Sequence, residues 1–185
     1  MKVILGAGQT RFDGWMATQE SELNLLSIDD WKRMFLPESV DAFLAEHVWE
    51  HLTLEQGIEA AKNCYAYLKP GGYLRCAVPD KNFRNEWYQN MVQVGGPGPT
   101  DHPAATHKIV YDWETFASVF ENVGFEVKLL EYCDDYGDFH YIYWNEADGK
   151  IGRSFRFDTR NSVEKLRMIS LIIDAKKPLV IKSGL

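Results

Sequence analysis

The chain has 185 residues, with 20 basic and 27 acidic side chains and a formal net charge of -7. That length suits one domain with its own core, so residues 1–185 read as a single unit that needs neither disulfides nor a structural metal to fold. The acidic balance excludes a nucleic-acid binder led by electrostatics, which would carry clustered positive charge. The three cysteines, Cys64, Cys76 and Cys133, are odd in number and lack CxxC spacing. This argues against a disulfide framework and a thiolate zinc site, and they read as buried thiols in a reducing cytosol. No apolar run approaches the roughly 18 residues of a membrane span, and the first residues lack a signal-peptide pattern. A cytoplasmic protein without a membrane partner is expected.

Lys2 to Leu5 is a short β-branched strand ended by Gly6-Ala7-Gly8. Gly14 to Thr18 is a second short extended piece. Ser27 starts a helix, with Asp29 and Asp30 in the first turn where the dipole favours acids. Pro37 lies beyond its end. Val40 to Ala45 reads as a strand, and His47 to Leu52 as a short helical turn or loop. Thr53-Leu54-Glu55-Gln56 is a capping box, followed by Ile58, Ala61, Cys64, Tyr65 and Leu68 at helical spacing. Lys69-Pro70-Gly71-Gly72 stops that helix and turns into a strand from Tyr73 to Val78. Residues 82–105 read as an irregular stretch, and a loop of that length in a domain is a lid or is disordered. Asp112 caps a helix with Phe116, Val119, Phe120 and Val123 on one face, closed by Gly124. Strands are expected at Phe125 to Tyr132, Phe139 to Trp144 and Met168 to Ala175, with fraying in the last few residues. Alternating strands and helices followed by strands alone predict an α/β sheet, mostly parallel, with antiparallel C-terminal strands.

Four segments resemble the class I S-adenosylmethionine-dependent methyltransferases. Val3-Ile4-Leu5-Gly6-Ala7-Gly8 is similar to the first-strand glycine motif. Asp41 through Leu52, with Ala45-Glu46-His47-Val48-Trp49-Glu50-His51-Leu52, resembles the fourth strand and its following turn. Leu68-Lys69-Pro70-Gly71-Gly72-Tyr73-Leu74 resembles the turn into the fifth strand, and Thr115 through Phe125 the helix before the sixth. The chain looks closest to short bacterial methyltransferase-like proteins. The resemblance implies a reduced Rossmann-like sheet, S-adenosylmethionine as cofactor and a small-molecule acceptor. One departure is plain. Only Gln9 to Gly14 separate the glycine turn from the second extended piece, so the first crossover helix is missing, whereas a parallel crossover needs a dozen or more residues. Either that piece is no parallel neighbour or the cofactor pocket is cut down. The loss also removes a helix N-terminus that would favour the cofactor carboxylate.

Cofactor contacts are expected from Leu5, Gly6, Ala7 and Gly8. The resemblance puts Gln19 where relatives grip the ribose with an acid, with Glu20 and Glu22 nearby, and places Asn24 and Leu25 near adenine. Asn24 could equally be a turn residue. Glu46 and His47 fall near the sulfonium, because strand C-termini in such sheets face the ligand crevice. His47 and His51 are four apart, a spacing that on a helix suits a metal, but no third ligand is evident and none is expected. His107 or His51 is the candidate base, since an imidazole titrates near neutrality, and Asp80 is placed to orient it. His102, after Asp101 in the glycine-rich loop, and His140 are the other histidines. Trp87, Tyr88, Trp113, Tyr141, Tyr143 and Trp144 could line an acceptor pocket or form the surface of a homodimer. Two rival readings stand: a methyltransferase-like binding or assembly module that has lost the cofactor, and a nucleotide-dependent reductase. Arg11 occupies the third glycine position of the reductase fingerprint.

Overall fold

The computed structural model describes residues 1–162 and 164–179. The expected fraying of the last few residues lies mostly outside them. Seven strands make one sheet: β1 (Lys2–Leu5), β2 (Trp15–Ala17), β3 (Val40–Glu46), β4 (Leu68–Val78), β5 (Glu126–Cys133), β6 (Phe139–Tyr141) and β7 (Leu171–Lys176), in the order β2-β1-β3-β4-β7-β5-β6. Pairs β1–β2, β1–β3 and β3–β4 are parallel. Pairs β4–β7, β5–β7 and β5–β6 are antiparallel. The expectation of a mostly parallel sheet with antiparallel C-terminal strands is matched in part. By direction, β5 runs with the first four strands, but β7 inserts between β4 and β5 and makes two of the six pairings antiparallel, and β6 adds another.

The second extended piece is a true parallel neighbour, with Lys2 opposite Trp15 and Ile4 opposite Ala17. The connection over residues 6–14 contains no helix. It succeeds because β2 has only three residues. Returning alongside so short a strand spans roughly 10 Å, and a chain can cover about 3.3 Å per residue.

The described residues form four α-helices, α1 (Ile28–Met34), α2 (Leu54–Tyr67), α3 (Glu86–Val92) and α4 (Trp113–Glu121), of which α1, α2 and α4 follow their sequence signals. Ser27 Oγ accepts from Asp30 N, and Asp112 accepts from Thr115 N. Thr53 and Gln56 form the reciprocal capping box. The 82–108 stretch is not irregular throughout. It holds α3, capped by Asn85, and a 3-10 turn over Pro103–Thr106. The last hairpin strand ends at Tyr141, not at Trp144.

The two sheet faces are covered differently. Val3, Leu5, Phe43, Ala45, Cys76 and Ile173 point to a core shared with Trp31 and Phe35, with Ala61, Cys64 and Tyr67 of α2, and with Phe116 and Phe120 of α4. The alternate residues Ile4, Leu44, Ala77 and Ile172 meet Trp144, Ile151, Phe12 and Phe157 instead. Among the described residues no α-helix lies in that second layer, whose regular structure is the 3-10 turn Glu146–Asp148. The described residues of the 142–170 segment cover it mainly as coil, and coil must find outside partners for its backbone groups. Sheet side chains supply several. Arg75 pairs with Asp174 at 2.8 Å and donates to the carbonyls of Asn145 and Gly149. Glu131 accepts from Trp144 Nε1 at 2.8 Å and Phe155 N at 3.0 Å.

The aromatic acceptor pocket does not form. Tyr88 and Trp144 are buried in packing, while Trp87 and Tyr143 are exposed. Trp113 packs against the helix-side core. The three cysteines are free and buried.

Candidate functional site

Two adjoining hollows of about 480 and 750 Å³ open at the C-terminal ends of β1 and β3. Gly6, Gly8, His47 and His51 line both, so the two form one cleft. Its place, at strand C-termini in an α/β sheet, is where such sheets take ligands. Leu5, Gly6, Ala7, Gly8, Glu46, His47, His51 and His107 line the smaller hollow, and Gln19, Asn24 and Leu25 the larger.

The glycine turn holds Gly6 at φ 57° and Gly8 at φ 53°, a left-handed backbone that favours glycine. A Cβ on Gly6 would stand 2.9 Å from Val48 Cγ2, whereas Gly8 has open space around it. Gln19 reaches back to this turn. Its Oε1 accepts from Gly8 N at 3.2 Å and its Nε2 donates to Gly8 O at 3.0 Å. The carboxamide expected at the ribose is thus engaged with the backbone. Glu20, beside it in the larger hollow, has no hydrogen-bond or ionic partner among the described residues. Asn24 is the turn residue of the two readings: its Oδ1 accepts from Leu26 N. Leu23 and Leu25 give this end of the cleft an apolar wall.

The smaller hollow gathers the ionisable groups. Glu46 at the end of β3 accepts from Gly152 N at 3.1 Å and Arg153 N at 2.7 Å, so it anchors the coil layer at the cleft rim. His47 has φ 57°, unusual for a residue with a side chain. Both its nitrogens are engaged: Nε2 lies 2.9 Å from Ser170 Oγ, and Nδ1 2.9 Å from Glu50 Oε1. The chain then makes a 3-10 turn over Trp49–His51. His47 and His51 therefore do not share a helix face as a metal pair. Glu50, in that turn, is fully buried. Burial opposes its charge and the His47 imidazole favours it, and the balance holds the carboxyl below its usual range.

His107 enters from the far side. Its Nδ1 bonds the Val92 carbonyl at 2.8 Å, which leaves Nε2 facing Glu50 Oε1 at 3.9 Å. Burial pushes its pKa below the ordinary 6.5, against the opposing effects of the Val92 carbonyl and Glu50. His51 lies edge-on to it, ring centroids 4.9 Å apart, with Nδ1 2.8 Å from Thr106 Oγ1. One donor atom from each of Glu50, His51 and His107 lies within 4.8 Å of the others.

Asp80 lines neither hollow. It is buried, and its two oxygens accept from Asn82 N and Cys133 N at 2.8 and 2.7 Å. It ties β4 to β5 and does not orient a base at the cleft. Its burial pushes the carboxyl up to about 6. Of the remaining histidines, His102 caps the 3-10 turn and His140 pairs with Asp134. Sequence reasoning gave Glu50 no role, and it missed Gly152, Arg153 and Ser170. Glu50 sits inside the motif that was read. The others lie more than 100 residues away from their partners in the cleft, and no local signal marks them.

No protein-family model matches this sequence, and no curated protein matches it. Solved structures do. A SAM-dependent methyltransferase from Archaeoglobus fulgidus superposes with a TM-score of 0.56 over 95% of this chain and 85% of its own, at 16% identity. A chain of the complex between the Haloferax volcanii Trm112 methyltransferase activator and a methyltransferase gives 0.52 over 96% of this chain and 82% of its own, at 15% identity. A SAM-dependent methyltransferase from Methanosarcina mazei gives 0.51, covering 92% of this chain and 71% of that one, at 13% identity. The chain carries the Rossmann-like fold of the class I S-adenosylmethionine-dependent methyltransferases.

Proposed function

We propose that the chain is an S-adenosylmethionine-dependent methyltransferase acting on a small-molecule acceptor. The observation that carries this reading is the continuous cleft at the ends of β1 and β3, with a left-handed glycine turn on one wall and histidines on the other. The residues present fit such a cofactor in part. The Gly6–Gly8 turn brings backbone close to a ligand, and Leu23 and Leu25 offer an apolar slot. The ribose partner in this reading is Glu20 in place of the engaged Gln19. When bound, the cofactor supplies a methyl group on a cationic sulfonium.

The chain's own residues would position the acceptor and take its proton. His107 is the better base of the two histidines considered. Its Nδ1 is fixed on a carbonyl, so its Nε2 carries the free lone pair, and its lowered pKa keeps it neutral at pH 7. The remaining contribution is orientation, which can supply much of such an acceleration.

Isothermal titration with S-adenosylmethionine and S-adenosylhomocysteine tests the reading. Micromolar affinity for both is expected, weakened in Glu20→Ala. Millimolar or absent affinity would overturn it and leave a methyltransferase-like module without cofactor. His107→Ala should abolish turnover while leaving cofactor affinity in place.

A further inference from the structure

We propose that the deep end of the smaller hollow is a divalent-cation site built from Glu50, His51 and His107. Two imidazoles and a carboxylate from separate parts of the chain bring donor atoms within 4.8 Å of one another. His107 Nε2 and Glu50 Oε1 are 3.9 Å apart. Around a bound ion at about 2.0–2.2 Å from each ligand, donors sit about 3–3.5 Å apart, so closure asks the Glu50–His107 pair to approach by about 0.5–1 Å and the widest pair by about 1–2 Å.

The second observation is the state of Glu50. It is fully buried, yet neither of its carboxylate oxygens has a hydrogen bond of good geometry among the described residues. A carboxylate taken out of water without donors is costly. His47 approaches Oε1 but its other nitrogen is held by Ser170, so it cannot also serve Oε2. A cation in the hollow would satisfy what the protein leaves open.

The third observation is the outer contacts of the two histidines. Metal-ligating imidazoles place their other nitrogen on a carbonyl or polar side chain, which fixes the ring. His107 Nδ1 rests on the Val92 carbonyl and His51 Nδ1 on Thr106 Oγ1. Both rings therefore keep Nε2 free. Val92 ends α3 and Thr106 ends the following 3-10 turn. The 82–108 segment thus serves to present and orient these ligands.

Two nitrogens and one carboxylate suit Zn²⁺, Mn²⁺, Fe²⁺ or Co²⁺ over the oxygen-seeking Mg²⁺ and Ca²⁺. Three protein ligands leave positions open, and they face the hollow lined by Gly6 to Thr10. The site does not rest on methyl transfer: cobalt binding without cofactor binding would keep it and remove the proposed function, and the reverse result would do the opposite. An ion on His107 Nε2 takes up the lone pair assigned to the base, so with metal bound His107 no longer serves as the base.

The test is titration of untagged, metal-stripped protein with Co²⁺, followed by visible absorbance and calorimetry. One ion per chain is expected, displaced by Zn²⁺ and unaffected by equal Mg²⁺. His51→Ala and His107→Ala should each weaken binding more than about tenfold, the low end of what disturbing even an outer-shell partner does. His140→Ala, on the exposed hairpin, should leave it unchanged. Circular dichroism of each variant without metal checks the fold. His51 is only half-buried, so His51→Ala decides the matter if His107→Ala does not fold. Absent binding, or equal affinity in the folded variants, overturns the proposal.

Discussion

The two faces of the sheet solve the same problem in different ways. On one, helices satisfy their own backbones and contribute apolar stripes, and the layer is held by aromatic packing such as Trp31 stacked on Tyr67. On the other, coil from residues 142–170 fills the space, and the sheet holds it through polar side chains such as Arg75, Glu131 and Glu46. The first layer draws its strength from buried area. The second depends on a few directed bonds, so single substitutions should release it piecemeal.

The largest expected effect lies on the helix face. Trp31→Ala should cost about 3–5 kcal/mol and lower the urea midpoint of the whole domain, because the cavity sits where α1, α2 and β3 meet. Just beyond the C-terminal end of the central strand β4, Asp80 makes stability depend on pH. Its folded pKa, about 6, lies above the unfolded 3.8. The folded state therefore binds its proton more tightly, and the contribution, about 3 kcal/mol, is full below pH 3.8 and lost as pH rises through 6. Denaturation of Asp80→Asn across pH 4 to 7 should show that slope removed; an unchanged slope would assign it elsewhere. Next comes Glu131→Ala on the coil face, at about 2 kcal/mol. Hydrogen exchange should rise across residues 144–157 while α2 stays protected. Uniform loss of protection would mean that the two layers are not separable. Smallest is Thr53→Ala at the α2 capping box, at about 1 kcal/mol in the thermal midpoint.

The same contrast explains what could be read from the sequence. Periodicity and caps are local, so α1, α2 and α4 with their N-caps stood out, as did β1, β3 and the glycine turn. The 82–108 stretch hid α3, because its glycine- and proline-rich flank outweighs one short helix. The coil layer has no period at all, and its anchors join residues such as Arg75 and Asp174 far apart in sequence. At the cleft, Glu46, His47, His51 and His107, all singled out from the sequence, line one hollow. The strand-end rule misplaced Asp80, since position after a strand says nothing about where a side chain turns. Glu50 was passed over because its burial comes from residues that fold over it.

The reciprocal pair of hydrogen bonds between Gln19 and Gly8 makes this chain its own competitor. A visiting molecule that needs the Gly8 amide meets a rival on a permanent tether, and that rival never diffuses away. Under the proposed function, a ligand that takes the Gly8 amide would have to displace the Gln19 carboxamide first. Shortening that one side chain should widen the range of molecules admitted, so a gain in affinity, unusual for a truncation at a binding wall, is its signature.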